Sequence, residues 1–291
     1  VKLAKKTIWI TGSSGGIGLA MAQQAVREGA ATVVLSGSNA EKLANAAALC
    51  RDIASQQSTP CKILCLRFDI SKTDEINRAA EQYRQQLDHL DVLVHNAGVS
   101  QRTPMLNTTH AVERYLMEVN YWGAVTLTKL LLPKMLENQH CYIGVTSSVT
   151  GLFGVPLRTS YCAGKHALNG YFMALQAEYY QKGLRVTLLC PGKINTEISK
   201  SALMGDGTSL GIIEKGHEKG LSAKRCAAIF WSAAKRGRLI CYAVRLEALA
   251  IWLHRLSPQL GSALIRKALP LREDALEQKA QEARERSHSR W

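Results

Sequence analysis

The chain has 291 residues, 46% of them hydrophobic and 21% charged, which is enough for one large domain or one domain with an appended tail. Its formal net charge of +14 suits a solubilising surface or an anionic partner such as a cofactor phosphate, a membrane or a nucleic acid. No aromatic–basic interleaving, finger or RNA-binding signature is present, and no run of ~18 apolar residues, so neither nucleic-acid binding nor a spanning helix is expected of these residues.

The β-branched and aromatic run Thr7–Thr11 leads into a glycine cluster, a pattern that predicts a buried strand, a turn and a helix from about Gly16 to Glu28. Further strands are expected at Thr32–Ser36, Lys62–Phe68, Asp91–His95, Cys141–Ser147 and Arg185–Cys190. Helices are expected at Ala40–Ser55, Thr73–Leu87, Ala111–Leu136 and Ser160–Lys182. This alternation predicts an α/β fold, a doubly wound Rossmann-type parallel sheet with helices on both faces. Ligands of such sheets sit at the carboxyl ends of the strands, near the reversal of strand order. Gly12, Asn96, Ser148 and Pro191 all follow strand ends, so one crevice can receive them all.

From Pro191 to about Leu221 the pattern breaks into a glycine-rich connection of the kind that forms lids or substrate loops. Its apolar residues Leu203, Met204, Leu210, Ile212 and Ile213 suit either a lipophilic substrate or packing of the loop on its own domain. A helix over Ser222–Ala234 and a last strand near Arg238–Tyr242 close a domain over residues 1–242, with 191–221 as the substrate loop. Residues 243–291 read as a helical extension. There Leu246, Leu249, Ala250, Leu253 and Leu256 share one helical face that Ile251 and Trp252 widen. Nine basic residues and one acid, Glu247, fall between Lys224 and Lys267. The helix fits packing against the body or a second subunit, as in a homodimer, or an interfacial contact with anionic lipid. Residues 272–291, dense in charge and Ala, suit a solvated helix or a frayed tail.

Most of the eight cysteines sit in apolar runs, and Cys61 and Cys65 lack a second pair with His, so reduced thiols and no metal site are expected. The first residue is Val1 rather than Met, which leaves an anchor or signal upstream open.

The stretch Thr11, Gly12, Ser14, Gly16, Ile17 and Gly18 fits T-G-x-x-x-G-x-G between a strand and a helix. Gly12 permits the tight turn, Gly16 the approach of a pyrophosphate, Gly18 the close packing of helix on sheet, and the helix N-terminus offers unpaired N–H groups. The second strand ends Leu35-Ser36-Gly37-Ser38-Asn39 with no acid for the ribose hydroxyls of NAD, and Ser38 and its small neighbours leave room for a 2′-phosphate. NADP(H) is therefore expected ahead of NAD(H), with Lys42 as a candidate cation. Asp69 and Ile70 suit the adenine edge and ring, though Asp69 equally suits a helix cap. Asn96, Ala97 and Gly98 follow the fourth strand; the amide can hold that turn and Gly98 lets the backbone pass a cofactor. Tyr161 and Lys165 fall one helical turn apart, so the ammonium is expected to lower the phenol pKa.

Taken together, Thr11–Gly18, Asn96-Ala97-Gly98, Asn120, Ser148, Tyr161-x-x-x-Lys165 and Pro191-Gly192-x-Ile194-x-Thr196 resemble the short-chain dehydrogenase/reductase family over roughly Lys5 to Tyr242. That resemblance implies Tyr161 as general acid or base, Lys165 as its pKa modulator and a ribose contact, and Ser148 as the binder of the substrate oxygen. It also implies Asn120 as the holder of a relay water, and Ile194 and Thr196 as contacts of the nicotinamide carboxamide beside Pro191 and Gly192. Ser147 competes with Ser148; the family places its serine thirteen residues before the tyrosine, which selects Ser148. His95 replaces an Asn, and Lys193 stands where a small residue or proline is common. The loop from Ser201 and the apolar–basic C-terminal region resemble the membrane-associated dehydrogenase/reductase member 7 group, especially its B type. The implication is an enzyme of lipid metabolism, acting on a steroid, retinoid or lipid ketone at the endoplasmic reticulum and facing a reducing compartment, with a cytoplasmic location as the alternative. A dinucleotide-binding scaffold or redox sensor without turnover is the reading from another class.

Overall fold

The computed structural model describes residues 1–57, 60–212, 218–245 and 247–269. Ile213, Leu246 and the charged tail 272–291, all discussed above, lie outside them.

Seven parallel strands run in the order β3-β2-β1-β4-β5-β6-β9: β1 Thr7–Thr11, β2 Thr32–Gly37, β3 Lys62–Arg67, β4 Val92–His95, β5 Cys141–Thr146, β6 Leu184–Pro191 and β9 Ile240–Ala243. The minor pair β7 Ile194–Asn195 and β8 Leu221–Ser222 brackets the long connection after β6. The doubly wound parallel sheet expected from the sequence is the one observed.

Alternation along the strands divides the core. Ile8, Ile10, Val33, Leu35, Val92 and Val94 face α1 (Gly16–Arg27), α2 (Ala40–Ser55) and α7 (Ala223–Lys235), where Met21, Leu43, Phe230 and Trp231 fill the layer. Trp9, Val34, Leu93, Ile143 and Val145 face α3 (Thr73–Gln86), α5 (Gly123–Met135) and α6 (Thr159–Tyr179). A strand buried on both faces must be apolar at every position, which is why β1, β4 and β5 read as unbroken runs. The strand order turns back between β1 and β4, so the crevice opens at their carboxyl ends.

The helical region expected over 111–136 is not one continuous α-helix. α4 (His110–Met117) passes into a π-helical turn, Glu118–Trp122, before α5 begins at Gly123. A side chain at Gly123 would collide with the Ile70 carbonyl, so the chain passes the end of β3 here with no room for a Cβ. The turn carries Asn120, 1% exposed, into the site.

After β9 the chain forms α8 (Glu247–Leu256) and α9 (Pro258–Ala268). The apolar face read from the sequence splits. Ile251, with Ala250, packs with Ile265 against Val149 and Phe153, whereas Leu249, Trp252, Leu256 and Leu260 are exposed, Leu256 to 79%. The loop residues Ala202, Met204 and Leu210 pack on one another and on Ile212, and backbone bonds join Leu203 to Ser100 and Arg102. The self-packing alternative for this loop holds.

His95 at the end of β4 is buried; its Nε2 lies 2.7 Å from Thr128 Oγ1 and its ring tilts against Phe172. Burial drives its pKa down to about 3, far below the ordinary 6.5, so the imidazole is neutral in the folded protein. The unfolded chain binds a proton between those values and the folded chain does not. This residue's contribution to stability is therefore lost as pH falls from about 6.5 towards 3. Chemical denaturation across pH should show a shallower acid decline for His95→Asn than for wild type; parallel profiles would contradict the assignment.

Candidate active site

β1 ends in Thr11, whose Oγ1 accepts the backbone N–H groups of Asn96 at 3.0 Å and Ala97 at 3.1 Å. The Asn96 amide donates back to the carbonyls of Thr11 (3.2 Å) and Gly12 (3.0 Å), and its oxygen accepts the Thr146 hydroxyl at 3.1 Å. Asn96 thus ties together the ends of β1, β4 and β5. Gly12 has φ +60°, and a Cβ there would sit 2.7 Å from Ala97 Cα, so only glycine closes this turn. A Cβ on Gly98 would meet Asn120 Oδ1 at 2.9 Å and Lys165 Nζ at 3.2 Å; this glycine lets backbone run between the amide and the ammonium.

A cavity of about 200 Å³ opens over this turn, lined by Thr11, Gly12, Ser14, Gly37, Ser38, Asp69, Ile70, Ala97 and Gly98 among others. Gly16 faces the Thr196 side chain, while Ile17 and Gly18 hold the start of α1 against the core. A second cavity, about 210 Å³ and lined by Tyr83, Leu87 and Leu131, lies at the amino end of β4, away from these residues. The glycine cradle, the α1 N-terminus and the small residues at the end of β2 fit a dinucleotide: backbone N–H groups can face a pyrophosphate without a side chain between.

Asp69 acts as a turn cap, because its Oδ1 accepts the N–H of Ser71 at 2.9 Å and the Ser71 hydroxyl at 2.8 Å, although the residue still lines the cavity. Ile194 turns its side chain into the core on the α1 side, and Pro191 ends β6 paired with Ala243. Lys193 is exposed, and its backbone N–H donates to Glu247 Oε1 at 3.1 Å. A Cβ on Gly192 would lie 2.7 Å from the Glu247 carboxyl carbon, so the first residue of α8 sits on this loop.

Tyr161 and Lys165 occupy successive turns at the start of α6, both buried. Lys165 Nζ donates to the Thr146 carbonyl at 3.0 Å and lies 5.7 Å from the centroid of the Tyr161 ring. Ser147 donates to the Lys165 carbonyl at 3.3 Å, which takes it out of the reaction space. Ser148 accepts the Thr150 N–H at 3.2 Å and stands near enough to the Tyr161 phenol to favour its ionised form. Asn120 donates to the carbonyls of Val99 and Leu116 and accepts the Val99 N–H.

The expected fall in the Tyr161 pKa is not observed. Burial raises it, outweighing the opposing pull of Arg158, Ser148 and Arg102. Lys165, bonded to Thr146 and set over the ring face, does not offset this, and burial lowers its own pKa to about 8. Desolvation disfavours both charged forms.

Residues 6–206 match the family described as short chain dehydrogenase. The chain belongs to the short-chain dehydrogenase/reductase family. It is 33% identical over 259 residues to dehydrogenase/reductase SDR family member 7B of Rattus norvegicus, spanning 89% of this chain and 79% of that protein. This bears out the resemblance to the member 7 group. Among solved structures, a short-chain dehydrogenase/reductase of Burkholderia phymatum in complex with NAD matches with TM-score 0.78 at 21% identity, over 89% of this chain and 96% of that one. A short-chain dehydrogenase of Burkholderia cenocepacia in complex with NADP matches with TM-score 0.72 at 19% identity, over 94% and 100%. At these identities the two structures speak for the fold.

Within this family framework, four supporting residues are not legible in the sequence. Gln101 Oε1 accepts the N–H groups of Ser160 (3.1 Å) and Tyr161 (3.2 Å), capping α6 from 59 or more residues away, where no local capping signal exists. Arg102 and Arg158 set the field around the phenol. Glu247 holds the Gly192–Lys193 loop from the C-terminal side.

Replacing Gly12 by Ala should lower stability by about 1–3 kcal/mol, the order of a strained left-handed residue, and abolish dinucleotide binding. Thermal unfolding and quenching of tryptophan fluorescence on cofactor titration check both.

Proposed function

We propose that this chain is an NADP(H)-dependent oxidoreductase that interconverts a ketone and a secondary alcohol on a lipophilic substrate at a membrane surface. The observation that carries the reading is the meeting of Tyr161, Ser148 and Lys165 beside the glycine-lined cavity at the reversal of strand order. A bound nicotinamide supplies the hydride exchanged with the carbinol carbon. Gly12, Gly16, Gly18, Ala97 and Gly98, with Ser14, Ser38, Ile70 and the Pro191–Thr196 loop, would hold the dinucleotide.

In reduction Tyr161 gives its proton to the substrate oxygen, and in oxidation it takes one back. Burial keeps the phenol protonated, which suits the donor role. Ser148 holds the same oxygen and stabilises its developing negative charge. Lys165, fixed by the Thr146 carbonyl, keeps positive charge beside the phenol. Asn120 fixes the Val99 backbone on the far side of Gly98 and serves the proton path by placement.

The absence of an acid from Leu35 to Asn39 supports NADP(H), since no carboxylate there repels a 2′-phosphate. Because the long loop packs on itself, support for a lipophilic substrate comes instead from the apolar cluster of Val149, Phe153 and Ile251, which begins at the residue after Ser148. Contact with an anionic lipid surface is supported by the exposed Leu249, Trp252, Leu256 and Leu260, with exposed Arg255, Arg266 and Lys267 alongside. No helix among the described residues is long and apolar enough to cross a membrane.

A screen of steroid, retinoid and lipid ketones by NADPH oxidation should find a substrate whose turnover falls about 10²- to 10⁴-fold in Tyr161→Phe, with cofactor affinity retained. Equal turnover in mutant and wild type would refute the tyrosine-acid mechanism, and no turnover of any carbonyl by wild type would leave a dinucleotide-binding protein. Co-sedimentation with phosphatidylserine vesicles should weaken with salt and fall in Trp252→Ser/Leu256→Gln. Undiminished sedimentation of that variant would remove the lipid contact from this face, and a concentration-dependent dimer lost in the variant would assign it to a second copy.

A further inference from the structure

The end of β2 carries no side-chain cation. Gly37 is its last residue, Ser38 and Asn39 follow, and Lys42 is paired with Glu197 at 3.3 Å. A cation reaches this corner from the neighbouring strand. In the parallel register Gly37 stands opposite Arg67, the last residue of β3, just as Val33 stands opposite Ile63. Register partners in a parallel pair send their side chains to the same face. For this pair that is the α1–α2 face, where Val33, Leu35 and Ile63 are buried. A Cβ built on Gly37 points at Ser14, 3.2 Å from its Oγ, into the rim of the glycine-loop cavity. With no side chain at position 37, nothing from that residue stands between Arg67 and the cavity rim. That guanidinium is already oriented: its Nε donates at 3.1 Å to the carbonyl of Ser38, which lines the cavity, and the side chain is exposed. Its two terminal nitrogens have no hydrogen-bond or carboxylate partner among the described residues. Asp69, the acid in the cavity lining, has one carboxylate oxygen committed to Ser71.

We infer that Arg67 is the group that recognises the 2′-phosphate of NADP(H), acting across the strand pair through the gap left by Gly37. A guanidinium anchored through Nε keeps a two-pronged N–H edge for a phosphate, and the anchor reduces the rotamer entropy lost on binding. This assignment rests on the NADP(H) reading above and names the residue that would enforce it.

The test titrates the full chain, without substrate, with NADPH, NADH, 2′,5′-ADP and 5′-AMP by calorimetry, for wild type, Arg67→Gln, Arg67→Lys and Lys62→Gln. Lys62 is an exposed cation at the opposite end of the same strand and controls for net charge. Arg67→Gln should weaken NADPH and 2′,5′-ADP by about tenfold to a hundredfold, the range of a charge-assisted hydrogen bond. NADH and 5′-AMP should be unchanged, Arg67→Lys intermediate and Lys62→Gln like wild type. If wild type prefers NADPH and Arg67→Gln keeps that preference, the Arg67 assignment fails while the NADP(H) reading stands. Equal weakening of NADPH and NADH also overturns it, making Arg67 a support for Ser38. Wild type that binds NADH as tightly as NADPH defeats the NADP(H) reading itself.

Discussion

One side-chain amide sets the geometry of the crevice. Asn96 holds the carbonyls of Thr11 and Gly12 with its NH₂ group and the Thr146 hydroxyl with its oxygen, so three parallel strands finish in fixed relation. The same Thr146 gives its carbonyl to Lys165. A continuous chain of hydrogen bonds thus leads from the glycine turn that would carry a dinucleotide to the ammonium beside Tyr161. The two halves of the site share one reference frame, and error in their relative placement is limited to a few short, buried contacts. Rigid scaffolding of this kind is what hydride transfer asks of a protein, because the protein contributes orientation rather than new bonds.

The cluster itself is arranged against ionisation. Phenol and ammonium are both buried, and burial moves their pKa values apart: Tyr161 upward from 10.0, Lys165 down from 10.5 to about 8. Each group is then closer to its neutral form than in water, so the phenol keeps the proton that a donor role needs. The arginines at 102 and 158 temper the cost of any phenolate that forms.

Much of this was legible in the sequence because it rests on periodicity and local spacing. Strands buried on both faces advertise themselves as unbroken β-branched runs, and all six expected through Cys190 lie within a residue of the expected limits. Tyr161 and Lys165 declare their shared helical face by their separation. What stayed hidden depends on contacts distant in sequence. Gln101 caps a helix some sixty residues away, Glu247 reaches back to Gly192, and Arg67 owes its reach to the missing side chain of a residue on another strand. The Tyr161 shift was read with the wrong sign because spacing reports the neighbouring charge but not the loss of water around it. The apolar face of α8 was read as one stripe, yet only Ile251 and its flank are covered, since hydrophobicity does not say which side of a broad stripe meets the body. The wide turn at Asn120 runs into a close passage between Gly123 and Ile70 that composition does not encode.

The seat of α8 has a practical corollary. Its first carboxylate grips the backbone of Lys193, next to Gly192, while its inner side touches Val149 and Phe153, the residues that lead away from Ser148. The loop after β6 and the segment after Ser148 therefore both rest on a helix that begins only a few residues after the last strand of the sheet. A fusion partner placed directly behind β9, or a protease that nicks the chain there, would be felt as a change in turnover long before the sheet itself loosened.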